Sequence, residues 1–317
     1  MRSSRSLVAA AVLALLAGCG GDVRPAADPV KPRVTVEAPV STPESPRRTP
    51  DTPRSTEPEP APPSIEVPDF PRPPRAKGLV LGGDVSWPQC PEGMGIPERR
   101  SKGLPMPLPS ARFVVLGLTN GPGFTTNPCL TQQVEWVRQR GLMAAAYAVT
   151  SYPDSATVRR LREEGPYDGQ TRLGALRNVG YQQALFNVGT MQSADLVSPI
   201  IWVDVEPVPL FEWTTDVEAN AAVVVGAVQG YSDAGYAVGT YSTPALWELV
   251  VGTLSLGLPE WRAAGLTSRA EALRRCRRDW SFQGGDGVLA QWLAGSRDHD
   301  ITCPGVGREL HRWFHQY

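Results

Sequence analysis

Apolar runs of strand length alternate with helical patterns from residue 78 onward, and this alternation limits the fold more than any other feature. GLVLGGDV (residues 78–85), RFVVLGLT (112–119), GLMAAAYAV (141–149), IIWVDV (200–205) and YAVGTY (236–241) read as buried strands. Weaker strand patterns cover 260–264, 288–293 and the residues around Ile301. Between them lie helical patterns at 130–140, 171–193, 216–234, 244–251 and 268–275. Strands separated by helices make βαβ units and a parallel sheet. About eight of them in one domain favour closure into a (β/α) barrel of the TIM type over an open sheet. The expected fold class is therefore α/β, with a single barrel over residues 78–317. Residues 90–109 hold five prolines and no period, and read as a long loop after the first strand.

Residues 20–77 have a different composition. They carry half of the chain's 32 prolines among Thr, Ser, Glu and Arg. Their apolar residues, Val34, Val36, Ile65, Val67 and Phe70 among them, are too sparse to build a core. Such a segment is an extended linker rich in polyproline II, rising ~3.1 Å per residue where so wound, with a maximum reach on the order of 150 Å. Ahead of it, Arg2 and Arg5 precede an apolar run at 7–16 that is too short to span a bilayer. The run ends in Leu16-Ala17-Gly18-Cys19, which resembles the lipobox of bacterial lipoproteins. That resemblance implies cleavage before Cys19, a lipid on Cys19, and a domain held by lipid alone on the outer face of the cytoplasmic membrane, reaching into the cell wall. The expected division is a signal peptide at 1–18, an anchor and linker at 19–77, and the barrel at 78–317.

Export changes how the other cysteines read. Cys90, Cys129, Cys276 and Cys303 remain, and an even number in an oxidising compartment points to two disulfides. Four cysteines allow three connectivities. Cys90 with Cys129 and Cys276 with Cys303 are favoured, because each pair lies near consecutive predicted strand ends. No metal site is read: there is no C-x-x-C, and His299, His311 and His315 all sit near the C-terminus. His311 and His315 are taken as surface or tail residues. The net charge of -1, with no single-sign block, gives no footprint for nucleic acid. A serine-elbow motif is missing, and Gly121-Pro122-Gly123 is too short for a dinucleotide turn. It reads, with Asn120, as a turn after the second strand. No cofactor is implied.

The stretch PIIWVDVEP (199–207) begins as a core strand and ends in two carboxylates. Side chains on a strand alternate, so Asp204 and Glu206 share a face with Trp202 below them, while Val203 and Val205 face the helices. Strand C-termini form the active site of such barrels. Other polar residues fall at those ends: Asp84, Asn120, Tyr147, Tyr241, Gln291 with Trp292, and then Asp298 and Asp300. Two close carboxylates repel, so one keeps its proton toward neutral pH. A protonated Glu beside an ionised Asp is the pair that glycoside hydrolysis uses. Trp87, Tyr147, Tyr152, Trp213, Tyr241 and Trp292 offer rings for stacking on sugars or, equally, for packing.

Gly83-Asp-Val-Ser-Trp-Pro-Gln89 resembles the opening G-x-D-V-S-x-x-Q of family 25 glycoside hydrolases, the Chalaropsis-type lysozymes. Trp202-Val-Asp-Val-Glu-Pro207 resembles their D-x-E strand, and Gly239-Thr-Tyr-Ser242 their Y-S strand end. Leu289-Ala-Gln-Trp292, followed by Asp298-His-Asp-Ile301, resembles their late W-Q-Y strand and closing aspartate. The cysteine-bearing forms of these motifs resemble an actinobacterial branch of exported proteins. The resemblance implies an irregular (β/α)5β3 barrel that cleaves the β-1,4 bond after N-acetylmuramic acid in peptidoglycan. Carried over, Glu206 matches the general acid, Asp204 its partner at the 2-acetamido group or reaction centre, and Asp84 the cleft-floor aspartate. Asp300 matches the late aspartate, with Asp298 as second candidate. Tyr147 and Tyr241 match cleft-lining positions, and Trp202, Gln291 and Trp292 complete the candidate substrate contacts.

The chain departs from the family pattern at Tyr147-Ala-Val, where an aromatic-His-Phe run is common, and at Ala290 and Trp292. The prolyl loop and an extension at 152–168 would reshape the groove. The expected protein is a monomeric, membrane-tethered glycoside hydrolase whose partner is peptidoglycan or another cell-wall glycan. The alternative is a non-catalytic glycan-binding lipoprotein on the same barrel. Filled carboxylate positions favour the first.

Overall fold

The computed structural model describes residues 72–317 apart from residue 122. The expected signal peptide, Cys19 and the expected linker up to residue 71 lie outside the described residues. The elements are β1 (Leu81–Val85), β2 (Phe113–Gly117), α1 (Leu130–Gln139), β3 (Met143–Val149), α2 (Ser155–Leu161), α3 (Arg172–Ser193), β4 (Ile200–Asp204) and α4 (Val217–Asp233). They continue with β5 (Ala237–Ser242), α5 (Pro244–Val251), β6 (Glu260–Leu266), α6 (Arg269–Arg275), β7 (Gly287–Ala294), β8 (Arg297–Thr302) and β9 (His315–Gln316). Every expected strand and helix is present.

Strands β1 to β7 pair in parallel with their neighbours in sequence order. Strand β8 runs antiparallel to both β7 and β1 and closes the ring. The expected barrel is thus observed, and its one reversed strand has a local cause. Only Gly295 and Ser296 connect β7 to β8, both with positive φ (57° and 60°). A two-residue turn of that kind makes a hairpin, whereas a parallel return needs a crossover of a dozen or more residues.

Two additions were not legible. Helix α2, in the 152–168 extension, buries none of its residues, so it leaves no apolar stripe. Its start is set by Asp154, whose side chain accepts from the Thr157 N–H (2.7 Å). Strand β9 pairs antiparallel with the first residues of β3. His315 is therefore a half-buried strand residue rather than a tail residue, while His311 is exposed.

Alternation along the strands separates two cores. Val114, Leu116, Ala146, Ile201 and Val203 face outward and pack against the helices. Phe113, Val115, Ala145, Ile200, Trp202, Trp261 and Leu289 fill the barrel. Leu310, Trp313 and Phe314, from the segment after β8, join them as a plug at the lower end. Ala76 also docks there, its N–H donating to Gly307 O (2.8 Å), so the folded body begins slightly before residue 78.

Both favoured disulfides are formed, Cys90–Cys129 and Cys276–Cys303. The first ties the root of the prolyl loop to the start of α1; the second ties the end of α6 to the end of β8.

The widest interior side chain, Trp202, needs a gap on the neighbouring strand. Gly239 supplies it: a Cβ there would lie 2.4 Å from the Trp202 ring. Gly239→Ala is expected to cost about 1–3 kcal/mol, the usual range for overpacking. Urea unfolding measures this, and a loss below ~0.5 kcal/mol would show that Trp202 gives way freely.

Candidate active site

The upper ends of β1, β4 and β8 gather acidic side chains around a cleft of about 240 Å³. Asp84 points inward from β1. Asp204 ends β4, and Glu206 follows two residues later on the same side. Because β8 descends from the rim, its first inward residues reach the cleft from above. Asp298 lines the cleft. Asp300 lies one layer lower, opposite Gly82 and Gln291, and is fully buried.

Two sets of hydrogen bonds order the floor. Tyr241 donates its hydroxyl to Gln291 Oε1 (2.7 Å), and Gln291 Nε2 donates to Asp84 Oδ2 (2.9 Å). Trp261 Nε1 donates to Asp300 Oδ1 (2.8 Å). Asp300 Oδ2 is buried with no N–H donor. The Asp84 carboxyl stands beside Asp300, and each shifts the other's proton affinity. Burial pushes both acids up, Asp300 to about 8, and for Asp84 the neighbouring Asp298 and Asp300 charges push the same way. Both carboxyls therefore hold their protons well above the usual carboxylate range.

The acids nearer the opening differ from one another. Burial, and then the Asp298 charge, push Glu206 up to about 7, against the opposing pull of the Arg99 guanidinium. Asp204 is raised well above the usual range by burial and by Glu206. Asp298 is raised by burial, with His299 opposing. Near neutral pH Glu206 therefore still carries a large share of its proton, in a cleft it shares with Asp298, and a carboxyl so raised suits a general acid. Trp213 fixes the Glu206 backbone, its Nε1 donating to Glu206 O (3.0 Å).

Of the expected site residues, Asp84, Asp204, Glu206, Tyr147, Tyr241 and Gln291 line the cleft. Asp300 sits beneath it and Asp298 takes the accessible position, reversing their expected ranking. Trp202 does not reach the cleft. It is fully buried one layer below Asp204, 6.2 Å from the Trp261 ring and 6.3 Å from Trp313. Trp292 does not reach it either. It faces outward with Ala272, Ala290 and Ile301 and stacks on His299 at 5.0 Å.

The aromatic floor is instead Trp261 on β6, against which Tyr241 (4.5 Å) and Tyr147 (5.6 Å) pack. Trp261 was missed, although it is the inward residue of a strand that was read. Arg99 was missed as well. It reaches the cleft because Asn120, fully buried, accepts from Ile96 N (2.8 Å) and donates to Arg99 O (3.2 Å), folding the prolyl loop back over the mouth.

Asp84→Asn mimics the protonated acid. A folded-state pKa raised above the unfolded value of about 4 costs stability progressively as pH rises between the two. The variant is expected to fold, to melt about 2–4 °C higher than wild type at pH 8, the shift ~1 kcal/mol gives in a domain of this size, and to show no gain at pH 4. Equal melting temperatures at pH 8 would refute a raised proton affinity at Asp84.

No family model matches the chain, and no curated protein matches it. Among solved structures it is similar to the catalytic domain of endolysin ply40 from bacteriophage P40 of Listeria monocytogenes, at 14% identity and a TM-score of 0.45 over 75% of this chain and 99% of that one. It is similar to a muramidase from Acremonium alcalophilum, at 14% identity and 0.45 over 74% and 99%. A family GH25 lysozyme from Aspergillus fumigatus is similar at 15% identity and 0.43 over 74% and 98%.

Proposed function

We propose that this chain is a glycoside hydrolase acting on the β-1,4 bonds of peptidoglycan, with Glu206 as general acid. The observation that carries the reading is the carboxyl of Glu206, held up to about 7 in a cleft it shares with Asp298. The ordered family 25-like motifs at 83–89, 202–207, 239–242 and 289–301 support the choice of polymer.

In this reading Glu206 gives its proton to the glycosidic oxygen as the bond to the anomeric carbon breaks. Positive charge develops on that carbon, and the Asp298 carboxylate stabilises it. Asp204, kept neutral by burial, hydrogen-bonds the sugar's 2-acetamido group. Water then adds to the anomeric carbon, and its proton returns to Glu206. Asp84 and Asp300 hold Gln291 and Trp261 in place beneath the sugar, and Tyr147 and Tyr241 flank it.

Purified peptidoglycan incubated with the full chain is expected to yield new reducing ends. Glu206→Gln should lower that rate by about 10²–10⁴, the usual worth of a general acid. The wild-type rate should fall as pH rises through about 7, because the acid must be protonated. An unchanged rate in the Gln variant would remove Glu206 from the chemistry. Sedimentation of both proteins with the wall and no reducing ends from either would move the conclusion to a glycan-binding module on the same barrel.

We also propose that the protein is exported, cut before Cys19 and lipid-anchored there, with residues 19–77 as tether. Leu16-Ala17-Gly18-Cys19 after a short apolar run supports this, as do two disulfides, which persist in oxidising compartments. Radiolabelled palmitate should enter the wild-type chain and not Cys19→Ala; equal labelling would refute the anchor.

A further inference from the structure

In the eight-stranded ring β1 and β4 are three strands apart, nearly opposite, so a direct contact between the loops that follow them crosses the mouth. Arg99 makes that contact. From the loop after β1, its Nη2 donates to Pro209 O in the loop after β4 (3.0 Å). Its guanidinium lies 5.5 Å from the Trp87 ring on its own side and 5.5 Å from the Phe211 ring on the far side.

The crossing is built in several ways. The buried Asn120 amide grips the backbone at Ile96 and Arg99. Cys90–Cys129 anchors the root of the loop. Gly121, at φ 111°, clears the path: a Cβ there would lie 2.9 Å from Arg99 Cδ and 3.2 Å from the Phe211 ring.

Arg99 lines the carboxylate cleft, and Phe211 lines a second pocket of about 390 Å³ over β2 and β3. The Arg99–Phe211 contact is therefore the wall between them. Phe124, Tyr152 and Phe211 give the second pocket aromatic faces, and Ser151, Asp154 and Glu212 give it polar groups. Aromatic faces beside hydrogen-bonding groups suit a sugar ring. Phe124 (φ 66°) and Leu210 (φ 74°), both lining it, hold left-handed conformations without being glycine. Such strain persists where the surroundings over-determine it, as at ligand clamps. Leu210 is also 70% exposed at the tip of a turn closed by Phe211 N–H to Val208 O (2.9 Å).

An enzyme that cuts inside a polymer needs a groove open at both ends. Here the cleft is walled on the β2–β3 side, and its volume of about 240 Å³ falls below the ~300–1,000 Å³ of pockets that enclose a drug-sized ligand. We propose that Arg99 is a specificity-determining residue: it bars the mouth, so that the carboxylate cleft accepts the end of a glycan chain, and the second pocket is a sugar subsite that a longer chain reaches only when the bar is removed. This rests on the glycan reading above.

The test uses full chains carrying Glu206→Gln, titrated calorimetrically with peptidoglycan-derived di-, tetra- and hexasaccharides. Affinity should level off at the shortest ligands in the Glu206→Gln chain. Adding Arg99→Ala should raise the ratio of hexasaccharide to disaccharide affinity by about tenfold, ~1.4 kcal/mol. Arg99→Gln, whose side chain is too short to reach Pro209 O, should reproduce the gain if the alanine variant folds poorly. The same dependence on length with and without the wall overturns the proposal, and so does the absence of binding to any of the ligands. Reducing-end release by chains with Glu206 intact judges the hydrolase reading separately. Cleavage with no change in length dependence keeps the hydrolase and discards the bar. A change in length dependence without cleavage keeps the bar on a binding module.

Discussion

The interior of the barrel has to be filled, and the way it is filled makes the site. Side chains of alternate strand residues converge on the axis, and the lower layers are closed by rings: Phe113, Trp202, Trp313 and Phe314. Trp261 sits at the change of layer, touching Trp202 below and donating to Asp300 beside it. The carboxylates above thus stand on a buried aromatic floor. Desolvation is the first cause of the upward shift at Asp84, Asp204, Glu206, Asp298 and Asp300 alike. The packing that stabilises the barrel is what keeps an acid protonated near neutral pH.

The positions of β1 to β5 were legible because each is an apolar run bounded by breakers, and the closed ring follows from the number of strands and the helices between them. The direction of β8 was legible only in hindsight, from two residues between two strands. The errors at the site came from applying alternation on β4 but not on β7. Gln291 and Trp292 are adjacent, so both cannot face the cleft. Gln291 meets Asp84, and Trp292 is sent out to Ala272 on α6. The same rule, with Glu260 and Arg262 facing outward, would have placed Trp261 inside. Asp298 and Asp300 share a face, and only the descent of β8 decides which is deeper.

Arg99 was beyond the reach of such rules. No local pattern says that a loop residue will cross a barrel mouth; that depends on an asparagine after another strand, a disulfide to a helix start and a glycine without a Cβ in the way. The pair Glu260–Arg262 is similar. Two charges beside a tryptophan read as a surface edge, yet both are buried and hydrogen-bonded at 2.7 Å. Arg262 also donates to the carbonyls of Arg275, Arg277 and Gly285. Glu260 accepts from the Gln283 and Gly285 N–H groups. Sequence neighbours two apart thus organise residues 275–287, a loop that no periodicity marks.

That network bears on the chemistry because Trp261 lies between its two members. Removing one partner of a buried pair strands the other and costs about 3–5 kcal/mol, so β6 is held firmly where the cleft floor needs it. The acids work in the opposite sense. Each carboxyl raised on folding binds a proton that the unfolded chain has released above about pH 4, so the folded state loses stability as pH rises toward the folded value. The two disulfides constrain the unfolded chain, and both lie on segments that frame the mouth or the last strand. Rigidity is placed around the cleft, where the desolvated acids subtract from stability, and the strain of the site is offset by its own frame.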